Sequence, residues 1–280
     1  MSLNSSLSRR SFFATAGAAA LAPSVFGKKK IPVGIEMYSV RNEMDKNIFE
    51  PVKAVAKMGY EGVEFYGPYM SWTIDQAKEM RKLMDDLKIK CYSTHNGSDS
   101  FTDAKISKAI ELNNILGSQY IVMASAGRVT GVDGWKKVAE TLSTSAEKVK
   151  SAGLKVGFHN HATEWKEVDG QKPIEILAKN TPKYVMMQLD VGTCVESGND
   201  PVAWINANPG RINTIHCKDW SKDKGYKVLF GDGASPWKAI FKAAEKKGGI
   251  EYYLIEQEGY DLPPYEVAEK CLVSFKKIHG

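Results

Sequence analysis

Residues 152–161 read AGLKVGFHNH, a stretch that joins the end of an amphipathic segment to a short apolar run and then to two histidines. A glycine directly after a helix favours the left-handed conformation that ends it, and β-branched or aromatic residues after that glycine favour a strand. Here Gly153 would end the helix and LKVGFH at residues 154–159 would enter the strand. The stretch therefore predicts a helix, a strand and then polar side chains at the carboxyl end of the strand.

The same order recurs along the chain. Six helix-end signals lead into GVEFY, YIVMAS, LKVGFH, YVMMQLD, INTIHCKD and YYLIEQ, and VGIEMYSV near residue 33 and IKCYSTH near residue 89 complete eight apolar runs. Segments between them, such as 73–87, 134–152 and 235–247, have helical spacing. Apolar strands that alternate with helices form parallel sheets covered by helices.

Eight such units within residues 31–280 predict a single-domain α/β fold, the (β/α)8 TIM barrel. A doubly wound open sheet is the alternative architecture. No G-x-G-x-x-G follows the first apolar run, so a dinucleotide-binding fold has no support.

Residues 1–30 have a different composition from the rest. The segment SRRSFF at residues 8–13 precedes a small apolar run at 14–22, and no acidic residue occurs before Glu36. This pattern resembles a Tat export signal and predicts a periplasmic protein. The run is too short to span a bilayer as a mature helix, so no stable membrane insertion is expected. A disordered arm or an amphipathic anchor is the alternative, and Pro23 after Ala22 leaves an uncleaved, anchoring signal open.

The net charge argues against nucleic acid as a partner, and the cysteine content leaves the disulfide pairing open. The chain has 38 basic and 33 acidic residues, and without residues 1–27, which carry two arginines and no acid, 36 basic residues remain. So small an excess provides no nucleic-acid footprint. The four cysteines have no CxxC spacing and allow three disulfide pairings, among which the sequence does not choose: Cys91, Cys194, Cys217 and Cys271.

Polar residues stand at or near the carboxyl ends of the predicted strands, which a barrel brings to one mouth. Residues i and i+2 of a strand point to one face, so His159 and His161 would share a side. A strand-end hydrogen bond explains any single histidine equally well. Ionised carboxylates in apolar strands need partners, however, and a divalent cation is the simplest partner for Asp190, His216 and Glu256 together. The full set of strand-end polar residues is Glu36, Glu64, His95, His159, His161, Asp190, His216, Lys218 and Glu256.

Seven segments resemble the sugar phosphate isomerase/epimerase family, which has a xylose-isomerase-like TIM barrel. They are GYEGVEF, CYSTHNG, GFHNHATEW, QLDVGTC, IHCKDW, the GDG loop at 231–233 and YYLIEQ. The resemblance implies a divalent metal held by Asp190, His216, Glu256 and a glutamate of the fifth strand. Where the commoner members have Glu-Asn-His, this chain has HNH at 159–161. His159 therefore stands at the usual carboxylate position, and Glu164 in the following loop is the alternative ligand.

The resemblance also implies a chemistry. Two carboxylates with two imidazoles suit Mn²⁺, Zn²⁺ or Co²⁺ better than Mg²⁺. In the relatives, two carboxylates move a proton between adjacent carbons while the metal polarises the substrate oxygens. With one carboxylate replaced, the candidate catalytic residues are His161, Glu164, Lys218 and Glu256. The candidate substrate-binding residues are Glu36, Glu64, His95, Trp72 and Trp220, and these tryptophans, like Trp165, fit rim packing equally well.

The predicted function is that of a metal-dependent isomerase or epimerase. Its expected substrate is a small, non-phosphorylated sugar or keto-sugar, because phosphosugars stay in the cytoplasm. A keto-glycoside lyase or hydrolase, or a sugar dehydratase, is the alternative on the same site. An apurinic endonuclease would need several metals and a basic groove, and a barrel that binds sugar without catalysis is a further class. The sequence selects neither the sugar nor the reaction, and a homo-oligomer stays open.

Overall fold

The computed structural model describes Met1, residues 30–259 and residues 261–280. The predicted export signal therefore lies outside the described residues, apart from its two end positions. Ile31 to Gly280 form one compact unit. None of the described helices is long and apolar enough to cross a bilayer.

Eight parallel strands form a closed barrel in chain order, in which β1 also pairs with β8. This confirms the predicted single-domain (β/α)8 barrel. The strands are β1 Val33–Glu36, β2 Gly62–Phe65, β3 Lys90–Gly97, β4 Tyr120–Ser125, β5 Lys155–His159, β6 Met186–Asp190, β7 Thr214–Cys217 and β8 Tyr252–Ile255.

Helices connect the strands and cover the outside of the barrel. They are α1 Arg41–Met44, α2 Glu50–Met58, α3 Ile74–Leu87, α4 Ile106–Leu116, α5 Gly131–Lys150, α6 Pro173–Asn180, α7 Val191–Glu196, α8 Pro201–Ala207, α9 Trp237–Ala243 and α10 Pro264–His279. Four 3-10 helices follow β1, β2, β3 and β5 at Met37–Val40, Gly67–Ser71, Ser98–Phe101 and Ala162–Trp165, and a π turn at Ala244–Gly248 extends α9.

Helices α2 and α4 end at glycines that the sequence predicts, whereas α5 ends at Lys150, before Gly153. Gly59 follows α2 with φ of +98°, and Gly117 follows α4 with φ of +74°. A side chain is strained in this region, so glycine ends the helix without that cost and frees the chain to enter the next strand. Helix α3 ends without a glycine, at Lys88, which itself adopts φ of +58°.

Two layers fill the barrel interior. The lower layer, on the amino-end side, is an apolar cluster in which Tyr92 and Tyr252 stack with ring centroids 4.5 Å apart. Gly62 makes room for it, since a Cβ there would lie 2.0 Å from the Tyr92 ring. The upper layer is polar and buried, and it includes Glu64, Gln188 and His216. Because the aromatic layer fills the barrel below, these polar side chains belong to the mouth at the carboxyl ends.

Strand register places the polar side chains next to one another. Glu36 of β1 pairs with Glu64 of β2, and Asp190 of β6 pairs with His216 of β7. His159 of β5 lies opposite Gln188 of β6. Residues that are far apart in sequence thus become neighbours around one ring.

Asp219, just after β7, holds the glycine loop that follows it. Its carboxylate accepts hydrogen bonds from the backbone N–H groups of Gly231 (3.0 Å), Gly233 (3.2 Å) and Ser235 (3.3 Å), and from the Trp237 indole (2.7 Å). A Cβ on Gly233 would lie 2.2 Å from Asp219 Oδ1, so this close approach requires glycine. Two of the sequence motifs, IHCKDW and GDG, are therefore one structural unit.

The cysteines do not form disulfides. All four lie in the described part of the chain, and each is buried and unpaired. Burial raises the pKa of the Cys91 and Cys217 thiols, so both favour the unreactive protonated form. None of the three disulfide pairings that the sequence leaves open is formed, and the four cysteines are separate buried thiols.

Candidate active site

The carboxyl ends of the strands surround a cavity of about 430 Å³. Its lining includes the predicted residues Glu36, His95, His159, His161 and Glu256. A second cavity, of about 490 Å³, lies at the amino ends of the strands and contains none of the predicted site residues. The mouth cavity is therefore the candidate active site.

Three residues of the mouth fit a divalent cation. His159, Asp190 and Glu256 are buried, and each offers a ligand atom within 4.8 Å of the others. Asp190 Oδ1 accepts from the Thr193 N–H at the start of α7, whereas its Oδ2 accepts no hydrogen bond from any described residue. His159 Nε2 lies 3.9 Å from that oxygen, too far for a hydrogen bond. This buried oxygen has an ion-pair partner in Lys218 at 3.3 Å but no hydrogen bond, and together with the imidazole nitrogen it is an arrangement that a metal would complete.

His216 lies between two carboxylates. Its Nδ1 is 2.6 Å from Glu256 Oε2, and its Nε2 is 2.7 Å from Glu64 Oε1. Burial alone would lower the pKa of His216, but Glu64 and Glu256 outweigh it and raise the pKa to about 10. In the absence of a metal the ring is therefore an imidazolium that balances these carboxylates. Its Nδ1 faces Glu256, and His216 belongs to two further groups that could hold a metal, one with His95 and His159 and one with Glu36, Glu64 and His95.

Lys218 brings a buried ammonium to the same carboxylates. Its Nζ lies 3.3 Å from Asp190 Oδ2, 3.9 Å from Glu256 Oε1 and 2.5 Å from Glu258 Oε1, and it stands 4.5 Å from the centroid of the Tyr226 ring. Burial opposes its charge, but the three carboxylates raise the pKa of Lys218. Burial would likewise raise the pKa of Glu256, yet Lys218 and His216 hold it well below its usual range. Both groups are therefore ionised at neutral pH.

Glu64 lies beneath the cavity rather than in its lining. Its Oε1 is 2.7 Å from His216 Nε2 and 3.0 Å from His95 Nε2, and its Oε2 accepts from Ser93 Oγ and, at 2.9 Å, from Gln188 Nε2. Burial would raise the pKa of Glu64, but the two histidines lower it well below its usual range. The predicted substrate contact is thus a fully buried carboxylate in contact with other mouth side chains.

His161 does not occupy the strand position that the sequence predicts. Strand β5 ends at His159, and His161 lies outside it, just before the 3-10 helix. The rings nevertheless remain adjacent, with centroids 4.8 Å apart, and His161 lines the cavity. Burial lowers the pKa of His161 and favours its neutral form. Glu164 accepts from the His161 backbone N–H at 2.7 Å, and no metal-capable group of the described residues includes it.

Glu36 ends β1 and is buried at the edge of the cavity. Its Oε1 accepts from the Tyr38 N–H at 3.3 Å, whereas its Oε2 has no hydrogen-bond partner among the described residues. Burial, followed by repulsion from Glu64, raises the pKa of Glu36 well above its usual value. The protonated form is thereby favoured, and it would be a hydrogen-bond donor at the cavity edge.

The tryptophans considered as sugar platforms lie outside the cavity lining. Trp72 is buried against Phe65, with ring centroids 5.0 Å apart. Trp165 is buried against Trp204 at 5.2 Å. Trp220 is partly buried in the loop held by Asp219. The aromatic rings that line the cavity belong instead to Tyr38 and Tyr66.

Sequence reasoning missed several residues of this region, among them Gln188, Glu258, Tyr38 and Tyr66. Gln188 is the one polar residue within the run VMMQL of β6, and that interruption was a readable signal. Glu258 follows Glu256 by two positions and Tyr38 follows Glu36 by two, the spacing of one strand face. Tyr66 directly follows β2 and carried no comparable signal.

Comparison with known proteins agrees with the fold. Residues 52–277 match the family described as the xylose isomerase-like TIM barrel, and the chain belongs to that family. An inosose dehydratase of Clostridium beijerinckii is 25% identical over 165 residues, which cover 52% of this chain and 55% of that protein. The match thus spans about half the length of that relative. The resemblance predicted from the sequence motifs is confirmed at the level of the family.

Solved structures share the barrel. A sugar phosphate isomerase/epimerase from Parabacteroides distasonis is 27% identical and has a TM-score of 0.77, over 90% of this chain and 96% of that one. The IolI protein, crystallised with a zinc atom, has a TM-score of 0.70 over 89% of this chain and 98% of that one. At 15% identity the latter likeness concerns the fold alone.

Proposed function

We propose that the protein is a divalent-metal-dependent enzyme that moves a proton next to the carbonyl of a non-phosphorylated sugar or keto-sugar. The observation that carries the proposal is the buried group of His159, Asp190 and Glu256 at the edge of a 430 Å³ cavity. Sugar-modifying relatives and a zinc-containing neighbour of the same fold support it.

The metal would be held by His159, Asp190, His216 and Glu256. Two imidazoles and two carboxylates favour Mn²⁺, Zn²⁺ or Co²⁺ over Mg²⁺, which prefers oxygen ligands. When bound, such a cation supplies a Lewis acid for the substrate oxygens. The four residues anchor it on β5, β6, β7 and the end of β8, so the site is built on the barrel itself rather than on a mobile loop.

The chain supplies the proton-moving groups. His161 lines the cavity and is favoured in its neutral form, so it can accept the proton from the carbon next to the carbonyl. Glu36, favoured in its protonated form, can donate a hydrogen bond to a substrate oxygen. Lys218 stays charged behind Asp190 and Glu256, where it stabilises negative charge that develops on an enolate. Glu164 fixes the backbone of His161 and thereby its ring position.

The cavity favours a neutral substrate. Its lining includes Glu36, Glu256 and Glu258, and none of the described residues that line it is an arginine or a lysine. A phosphate group would meet carboxylates without the cations that usually bind it. The tyrosines Tyr38 and Tyr66 offer ring faces and hydroxyls suited to a sugar.

Dehydration or cleavage of a keto-sugar is the second candidate. Once the proton next to the carbonyl is removed, either a proton returns to the carbon or a group at the neighbouring carbon leaves. The inosose dehydratase relative favours the second course, and Glu258, which lines the cavity and whose pKa is raised by burial, could protonate a leaving oxygen. A lyase or hydrolase acting on a keto-glycoside would use the same first step.

The test is exchange with heavy water. Protein loaded with Mn²⁺ or Co²⁺ is incubated in D₂O with free sugars, keto-sugars and keto-glycosides and followed by NMR. Deuterium next to the carbonyl supports proton transfer, and loss of water or of an aglycone identifies the elimination course. His161→Gln should abolish exchange, whereas His279→Gln, in α10 away from the mouth, should not. Metal-loaded protein that neither exchanges nor converts any of these compounds contradicts the proposal.

A further inference from the structure

We propose that Glu64 and Gln188 act as a positioning pair that fixes which nitrogen of His159 and of His216 is free to bind the metal. The inference rests on the metal site of the proposed function and assigns a task to two buried residues outside the ligand set. It concerns the chain's own hydrogen bonds, all of which are present without a metal.

Glu64 is surrounded by donors. Its two oxygens meet His216 Nε2, His95 Nε2, Ser93 Oγ and Gln188 Nε2, and its side chain is fully buried. An ionised carboxylate carries no proton and acts only as an acceptor. His216 must therefore carry a proton on Nε2, and its other nitrogen, Nδ1, is the one that faces Glu256.

The same carboxylate fixes the amide of Gln188. Because Glu64 only accepts, Gln188 must turn its NH₂ toward it, and the amide oxygen then faces the histidines. That oxygen is 2.9 Å from His159 Nδ1 and 2.6 Å from His95 Nε2. His159 consequently donates from Nδ1, and its Nε2 lone pair points to the side of Asp190 Oδ2, 3.9 Å away.

The Glu64 carboxylate thus fixes which ring nitrogen carries the proton in two histidines. It acts directly on His216 and through the Gln188 amide on His159. Metal-binding histidines commonly donate their second ring N–H to a carboxylate or carbonyl, and loss of that partner costs about 10–100-fold in metal affinity. Gln188 and Glu64 are 124 positions apart in the sequence, so the arrangement joins distant parts of the chain.

Glu64→Gln keeps the size and shape of the side chain but should disturb the proton positions on the His159 and His216 rings. It replaces an acceptor oxygen by an NH₂ donor among groups that already donate. If Gln188 turns to relieve a donor–donor contact, its own NH₂ faces His159 Nδ1. That nitrogen must then accept, and the ring proton moves to Nε2, the metal-facing position.

The experiment measures metal binding rather than activity. Metal-free wild-type protein, Glu64→Gln, Gln188→Met and the double variant are titrated with Co²⁺, and the visible absorption of bound Co²⁺ gives both the dissociation constant and the ligand geometry. Glu251→Gln is the matched control, because Glu251 accepts hydrogen bonds from Tyr120 and Asn213 at the amino ends of the strands. Circular dichroism and urea unfolding show whether each variant folds.

We expect both single variants to bind Co²⁺ about 10–100-fold more weakly with an altered spectrum. The double variant should lose less than the sum, because the two residues act in one chain. Should Glu64→Gln fail to fold, Gln188→Met still removes the acceptor of His159 and decides the matter. Affinity within threefold of the parent in the folded variants, or an equal loss in Glu251→Gln, overturns the inference alone. Wild-type protein that binds no Co²⁺ overturns the metal site and the inference with it.

Discussion

Lys218 Nζ lies 3.3 Å from Oδ2 of Asp190, the one oxygen of that buried carboxylate that accepts no hydrogen bond from the described part of the chain. The other oxygen caps α7. Lys218 also stands 3.9 Å from Glu256 Oε1, so its ammonium compensates the two carboxylates that would bind a metal. A divalent cation would supply the same compensation with better coordination. Lys218 and a bound metal would therefore compensate the same two carboxylates, those of Asp190 and Glu256.

Removal of Lys218 should make the metal-free protein less stable. Lys218→Met leaves Asp190 and Glu256 buried without the ammonium, and loss of one partner of a buried charge pair costs about 3–5 kcal/mol. Saturating Co²⁺ should restore much of this loss. Urea unfolding with and without Co²⁺ measures both effects. Lys227→Met, which breaks an exposed pair with Asp261, should change stability little. Equal stability of metal-free Lys218→Met and parent would refute the role of the ammonium.

Asp190→Asn should remove the metal but keep the helix cap. Asparagine caps helices about as well as aspartate, so its oxygen can still accept from Thr193, whereas the charge and the ligand oxygen are lost. Asp200→Asn is the control, because Asp200 caps α8 outside the mouth in the same way. His216→Ala should also strip the ion. Elemental analysis that finds full occupancy in Asp190→Asn and His216→Ala would show that these residues are not ligands.

His159 and Glu164 can be told apart by exchange of ligand type. His159→Glu should retain a metal and shift preference toward Mg²⁺ or Mn²⁺, because an oxygen replaces a nitrogen. Glu164→Gln should retain the metal, since an amide oxygen can still accept from the His161 N–H. Metal content is measured after dialysis against each ion. Loss of metal in Glu164→Gln together with full metal in His159→Ala would make Glu164 the ligand.

The stability of the metal-free protein should depend on pH through His216. Its folded pKa is about 10, against an ordinary value near 6.5, so its contribution is complete below pH ~6.5 and disappears as the pH rises to ~10. Urea unfolding from pH 6.5 to 10 should show a falling free energy of unfolding in the parent. His216→Gln should lack that fall. Parallel curves for the two proteins would exclude this titration.

The predicted export signal lies outside the described part of the chain, apart from its two end positions. We propose that residues 1–30 direct the protein through the Tat pathway, on the strength of the SRRSFF pattern and the apolar run after it. A fusion of these residues to a reporter should reach the periplasm. Arg9→Lys with Arg10→Lys should hold the reporter in the cytoplasm, and equal export of both fusions would contradict the proposal.

The barrel could be predicted from local sequence patterns. Helix-ending glycines such as Gly59 and Gly117 and the apolar runs after them depend on neighbouring residues only, so the eight strands could be predicted. The strand-end positions of Asp190, His216 and Glu256 followed from the same runs. Their meeting at one mouth followed from the barrel, because closure brings all strand ends together.

What each polar residue touches was decided only by the closed barrel. Glu64 and His216 are 152 positions apart, and their 2.7 Å contact depends on strand register and on side chains that meet inside the ring. Local patterns could not show that Gln188 faces Glu64, that Lys218 stands between carboxylates, or that Trp72 packs on Phe65 outside the cavity lining. Sequence periodicity gives the face of a strand on which a residue lies. The partner across the barrel is set by how eight strands stagger when they close, which no single segment encodes.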